Sequence, residues 1–237
     1  MLKTILWFIY FVFSLLYTIP ALLKVQFLNR QNRINERDEI THRTAQRWAR
    51  MLVNLSGSQI KVMGEENVPK EGAVLFVSNH QSNFDIPILL GFIHKPKSFI
   101  AKKELSRIPI LSTWMKYMQC VFIDREDARQ SLKAINRGAE LLKEGYSQVI
   151  FPEGTRSADG RLGEFKPGSL KLALKANVPI VPVTIKGAYH IMPKGQLKIQ
   201  PAQVEVIISP PIQVGNISAK ESGELAEKVR KVIGEKL

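Results

Sequence analysis

At 237 residues, the chain is long enough to bury one substantial core, and its 45% hydrophobic content suits a globular protein carrying an extra apolar element. A single cysteine, Cys120, excludes an intrachain disulfide, and the apolar run around it favours a buried, inert thiol. The net charge of +13, from 34 basic and 21 acidic residues, points to anionic partners: nucleic acid, an anionic lipid surface, a phosphorylated substrate or an acidic carrier protein.

Residues 5–23 are nearly uncharged and rich in Phe, Leu, Ile, Trp and Tyr. As a helix this stretch spans ~28 Å, close to the ~30 Å hydrocarbon core of a bilayer. Pro20 is expected to kink or end it. No small-residue cleavage site follows, so a membrane helix is favoured over a secretion signal. Lys24, Arg30, Arg33, Arg37, Arg43, Arg47 and Arg50 crowd the C-terminal flank. The positive-inside rule puts that flank, and the domain after it, on the cytoplasmic side of the cell membrane, and the basic segment suits anionic headgroups. Length alone leaves crossing and single-leaflet insertion both open.

Residues 38–56 show helical spacing of Ala45, Trp48, Met51, Leu52 and Leu55, with Gly57 as a stop. Strands are then predicted at 60–63, 73–77, 98–101, 121–123, 148–151, 180–185 and 204–208. Helices are predicted from Asp85 to about Ile93 and at 109–118, 127–142, 168–176 and 219–233, with a turn at 67–72 and a long loop at 152–168. The alternation argues for an α/β fold: a central, mainly parallel or mixed sheet flanked by helices, preceded by the hydrophobic helix and a basic second helix. Residues 1–56 form the expected membrane-anchoring segment and 57–237 the α/β domain.

In such a sheet, sites form at the carboxyl ends of strands. Residues 79–85 read Asn-His-Gln-Ser-Asn-Phe-Asp at one such end. His80 and Asp85 there have the makings of a general base and the carboxylate that fixes its tautomer. By itself the spacing fits equally a helix-capping aspartate beside a loop histidine. Residues 151–157, Phe-Pro-Glu-Gly-Thr-Arg-Ser, follow another strand. Glu153, Gly154, Thr155 and Arg156 supply a carboxylate, a flexible backbone, a hydroxyl and a guanidinium suited to phosphate, or else a surface loop with an ion pair. Asp124 and Arg125 follow a third strand; Lys102 and Lys103 follow a fourth and are candidate phosphate or thioester-oxyanion partners, or plain solvated charges. No nucleophile elbow is present, and His42, His94 and His190 lack partners at metal-ligand spacing. A base acting directly on a hydroxyl or on water is therefore expected.

Four blocks in order now resemble the 1-acylglycerol-3-phosphate acyltransferases (lysophosphatidic acid acyltransferases) of the glycerolipid acyltransferase family. They are residues 79–85, the stretch from Lys102 through Pro109 to residues 121–125, residues 151–157, and residues 178–184 (Val-Pro-Ile-Val-Pro-Val-Thr). The resemblance implies acyl transfer from acyl-CoA or acyl carrier protein to the sn-2 hydroxyl of lysophosphatidic acid. It makes His80 the base and Asp85 its orienting partner. Glu153, Gly154 and Arg156 fall in the acceptor block, Arg125 shares the phosphate role, and Pro182 falls in a block linked to the acyl-donor pocket. It implies no cofactor or metal, an anionic membrane as partner, and no nucleic acid. In the second block this chain has bulky Trp114 and Met118 where family members often carry glycine, which bears on the shape of an acyl tunnel. The rivals are transfer to another lysophospholipid or glycerol 3-phosphate, and a thioesterase using the same pair on water.

Overall fold

In the computed structural model, the described residues are 2–124, 126–157, 159–215 and 221–237. The apolar N-terminus forms α1 (Leu2–Tyr17) and α2 (Ile19–Arg30), which meet at Thr18 with Pro20 in the first turn of α2. A proline is tolerated there because its missing N–H would have no helical partner anyway. Together the two helices make a run of 29 residues that is long and apolar enough to cross a membrane, by length and composition only. The long basic helix α3 (Ile34–Ser56) follows, closed by Gly57 at φ +81°, a conformation glycine adopts without a Cβ clash.

The rest of the chain builds the sheet. Its strands are β1 (Gln59–Met63), β2 (Leu75–Ser78), β3 (Ser98–Lys102), β4 (Val121–Ile123), β5 (Gln148–Ile150), β6 (Ile180–Lys186) and β7 (Gln203–Ile208). Its helices are α4 (Asp85–Phe92), α5 (Leu111–Tyr117), α6 (Ala128–Lys143), α7 (Lys171–Ala176) and α8 (Glu221–Gly234). Spatial order is β1-β7-β6-β2-β5-β3-β4. All neighbours run parallel except β6 and β7, so β1 and β7 oppose the other strands. The mixed, mainly parallel α/β sheet expected from the sequence is the one observed.

Strand alternation divides the core in two. Val74, Phe76, Val149, Val181 and Val183 face the layer made by α1, α3 and α4. Leu75, Val77, Ile150 and Ile180 face the layer made by α6, α7 and α8. With both faces covered, β2 is buried at every position, which is why Leu75, Phe76 and Val77 are all apolar with no alternation. Helix α5 starts later than its spacing suggests, because Ile110 sits at φ +62° and interrupts the helical path after Pro109. Asp127 caps α6, its carboxylate accepting from the N–H groups of Arg129 and Gln130 at 2.9 and 3.0 Å.

Candidate active site

Strands β2, β5 and β3 lie side by side and parallel, so their carboxyl ends open on one edge of the sheet. From the end of β2 the chain enters the loop carrying His80. Its Nδ1 lies 2.7 Å from Asp85 Oδ2, and Asp85 is fully buried. That carboxylate oxygen also accepts from the N–H groups of Gln81 (2.6 Å) and Ser82 (2.8 Å). Asp85 thus turns back into the loop instead of capping its own helix, whose N-cap is Phe84. The carboxylate selects the tautomer with the proton on Nδ1, leaving Nε2 as the acceptor nitrogen. The ring lies flat on Phe151, with centroids 4.1 Å apart and planes at 17°. The orientation of the imidazole is therefore fixed from its edge and from its face.

The loop after β5 locks onto the histidine loop. Glu153 Oε1 accepts from His80 N–H at 2.7 Å and Oε2 from Gly163 N–H at 2.9 Å. Ser157 N–H donates to His80 O at 2.8 Å, and Gln81 Nε2 to Gly160 O at 3.1 Å. Both oxygens of Glu153 are thus engaged by backbone amides, which makes it a brace for His80 more than a contact for a ligand. Burial pushes its carboxyl above the usual range, opposed by the amides of His80 and Gly163. Gly154 sits at φ +70°, where the chain turns tightly toward Thr155 and Arg156.

A cavity of about 560 Å³ opens beside His80. Its polar part is lined by His80, Lys102, Thr155 and Arg156, together with Lys194. Its apolar part is lined by Trp7, Phe11 and Leu15 of α1, Trp48 of α3, and Trp114 and Met118 at α5. The bulky residues of the second block are therefore cavity walls. Cys120 also lines it, and burial pushes its thiol up to about 12, so no thiolate forms near neutrality.

The chain has three tryptophans: Trp7 and Trp48 tie α1 to α3, and Trp114 ties the junction of α1 and α2 to α5. Trp7 Nε1 donates to Leu52 O at 3.0 Å, Trp48 Nε1 to Ser14 Oγ at 2.8 Å, and Trp114 Nε1 to Thr18 Oγ1 at 2.9 Å. Trp7 also packs on Phe84 of the histidine loop, with ring centroids 5.3 Å apart. These α1 residues were missed as site residues. The signal was Trp7, Phe11, Ser14 and Thr18 at three-to-four spacing, a face with an indole and two hydroxyls that an isolated lipid-embedded helix does not need.

The remaining expectations fall as follows. Lys102 reaches the cavity, whereas Lys103 turns to Asp124 in an ion pair and is not among the lining residues. Arg125 lies outside the described residues. Pro182 sits opposite Val77 in β6, on the same sheet face as Ile180 and Thr184, and Thr184 Oγ1 donates to Ile233 O of α8. Strand alternation therefore points Pro182 away from the cavity, which lies on the other face.

A family model described as Acyltransferase matches residues 59–186. A "Probable 1-acyl-sn-glycerol-3-phosphate acyltransferase" of Mycoplasma pneumoniae is 37% identical over 214 residues, covering 83% of this chain and 78% of its own. A 1-acyl-sn-glycerol-3-phosphate acyltransferase of Pseudomonas aeruginosa is 31% identical over 195 residues, covering 80% and 75%. The crystal structure of the 1-acyl-sn-glycerophosphate (LPA) acyltransferase PlsC from Thermotoga maritima matches with a TM-score of 0.88 at 33% identity, over 99% of this chain and 93% of that one. On the family match, these relatives and the shared fold, the chain belongs to the acyltransferase family, among its 1-acyl-sn-glycerol-3-phosphate acyltransferases.

Proposed function

We propose that the protein transfers an acyl chain from a thioester, acyl-CoA or acyl carrier protein, to the sn-2 hydroxyl of 1-acyl-glycerol 3-phosphate, giving phosphatidic acid. The observation that carries this reading is one cavity with two characters: an oriented imidazole and cations at its polar part, and tryptophan-lined apolar walls beyond. A thioester is already activated, so a base and charge stabilisation suffice without a covalent enzyme intermediate. His80 Nε2 takes the hydroxyl proton as the oxygen attacks the thioester carbonyl, and Asp85 stabilises the imidazolium that forms. The tetrahedral intermediate collapses by breaking the C–S bond, and the imidazolium returns its proton to the departing thiolate. Arg156 and Lys102 suit the acceptor phosphate, and the apolar walls suit an acyl chain.

The N-terminal helices support a membrane-bound enzyme. Ile5, Ile9, Val12, Phe13 and Leu16 are exposed on α1 while its opposite face is cavity wall. An exposed apolar face on a helix docked to the catalytic domain suits insertion into one leaflet beside the domain. The basic residues of α3 then suit an anionic cytoplasmic surface.

The test is incubation of detergent-purified protein with a panel of lysolipids, glycerol 3-phosphate and both classes of thioester donor, with products identified by mass. Phosphatidic acid formed from lysophosphatidic acid is the expected result. Donor consumed with no acylated lipid would overturn the reading in favour of hydrolysis.

A further inference from the structure

Lys194 stands outside every block that the sequence marks, yet it lines the same cavity as His80, Lys102 and Arg156. We propose that Lys194 is a phosphate-contacting and positioning residue for the lipid acceptor, holding the Arg156 loop with one N–H and presenting its remaining charge to the phosphate. This rests on the acyltransferase reading above.

The first observation is a direct bond between loops far apart in sequence. Lys194 Nζ donates to Arg156 O at 2.7 Å and lies 3.4 Å from Thr155 Oγ1. An ammonium carries three donors, and the carbonyl uses one of them well. The segment that bears Lys194 is itself anchored. Ile191 is fully buried, Ser82 Oγ of the histidine loop donates to Met192 O at 3.1 Å, and Gln200 N–H donates to Ile191 O at 2.9 Å. Gln196 N–H closes the turn on Pro193 O at 3.1 Å. Lys194 therefore links the loop that holds the base to the loop that holds Arg156.

The second observation is charge. Among the described residues, no carboxylate lies within ion-pair distance of Lys102, Arg156 or Lys194. Among the described residues, Glu104 is the one acid lining the cavity. A phosphate monoester carries about −1.5 to −2 charge near neutrality, and three cations facing one acid provide its complement. Lys103 shows the contrast: it spends its charge on Asp124.

The experiment compares the full-length wild type with K194A and K194R, using lysophosphatidic acid and the corresponding monoacylglycerol, which lacks the phosphate. For K194A, KM for lysophosphatidic acid should rise about tenfold or more, the size expected for losing a charge-assisted contact, with a much smaller fall in kcat. K194R should recover most of that loss, and the preference for the phosphorylated acceptor should shrink in K194A alone. An unchanged KM, a kcat loss at wild-type KM, or an equal loss on both acceptors would overturn the assignment. A wild type that makes no phosphatidic acid would instead overturn the acyltransferase reading, and this assignment with it.

Discussion

Trp114 Nε1 donates to Thr18 Oγ1 at 2.9 Å, and Thr18 Oγ1 in turn donates to Leu15 O at 2.6 Å. One hydroxyl thus joins α5 of the catalytic domain to the junction of the two N-terminal helices, and both residues are buried. T18V keeps the shape and leaves the buried indole N–H unpaired, which costs about 1–3 kcal/mol. Denaturant unfolding in detergent should show that loss, and T18S should restore most of it. An unchanged T18V would mean that α1 contributes to the cavity without being held by it.

The base assignment makes a separate demand. H80A should lose about 10³-fold or more in turnover, in line with the 10²–10⁴ that a positioned base contributes. D85N keeps an oxygen for the loop amides and removes the charge that favours the imidazolium. It should lose most of the activity with little change in acceptor KM. Steady-state kinetics on purified variants with a wild-type circular dichroism spectrum checks both.

Glu153 is predicted to act on His80 and only weakly on substrate, because both of its oxygens accept backbone N–H groups. Glutamine offers one oxygen and sets an NH₂ against the other amide. E153Q should therefore lower kcat at least about tenfold and lower the melting temperature, leaving acceptor KM near the wild-type value. A rise in KM alone would return Glu153 to the acceptor site.

The two adjacent lysines should behave differently. K102A removes a cation from the cavity and should raise acceptor KM, as should R156A, by about tenfold. K103A breaks a part-buried pair with Asp124 that lies outside the cavity lining, and should alter KM less than about threefold.

Lys97 gives a pH signature unrelated to catalysis. It is buried without an acid partner, its Nζ donating to Leu89 O at 3.1 Å and Ile93 O at 2.8 Å. Burial lowers its pKa from 10.5 to about 7. Between those values the unfolded chain holds a proton that the folded chain lacks. Its contribution to stability therefore rises with pH from about 7 toward 10.5 and is least favourable below 7. K97M removes that slope. The stability of K97M minus that of the wild type should be highest below pH 7 and fall steadily above it, read from unfolding curves across that range. A difference independent of pH would place the ammonium in a solvated site.

The sheet was legible because its strands are short apolar runs punctuated by glycine, proline and capping residues, and each of those signals is local. Asp127 announced α6, Gly57 ended α3, and β2 declared its two covered faces by its unbroken apolar stretch Leu75–Val77. The heptapeptide from Asn79 to Asp85 was legible for the same reason, since His80 and Asp85 meet across five positions of one loop.

What depended on distant parts of the chain could not be read in this way. Pro182 looked like a pocket residue by its block, and only the pairing of β6 with β2 assigned it a face. Lys102 and Lys103 look alike in sequence, and only the packing of β3 beside β4 gave one of them Asp124. Lys194 reaches Arg156 across 38 positions, and Trp114 reaches Thr18 across 96. The sequence by itself determined the fold class, the loop in which His80 meets Asp85, and the apolar and basic character of the N-terminus, because propensity, periodicity and close spacing act over a few residues. The tertiary structure decided which cations share the cavity and made the membrane-type helix one of its walls, because those relationships arise only when distant segments pack together.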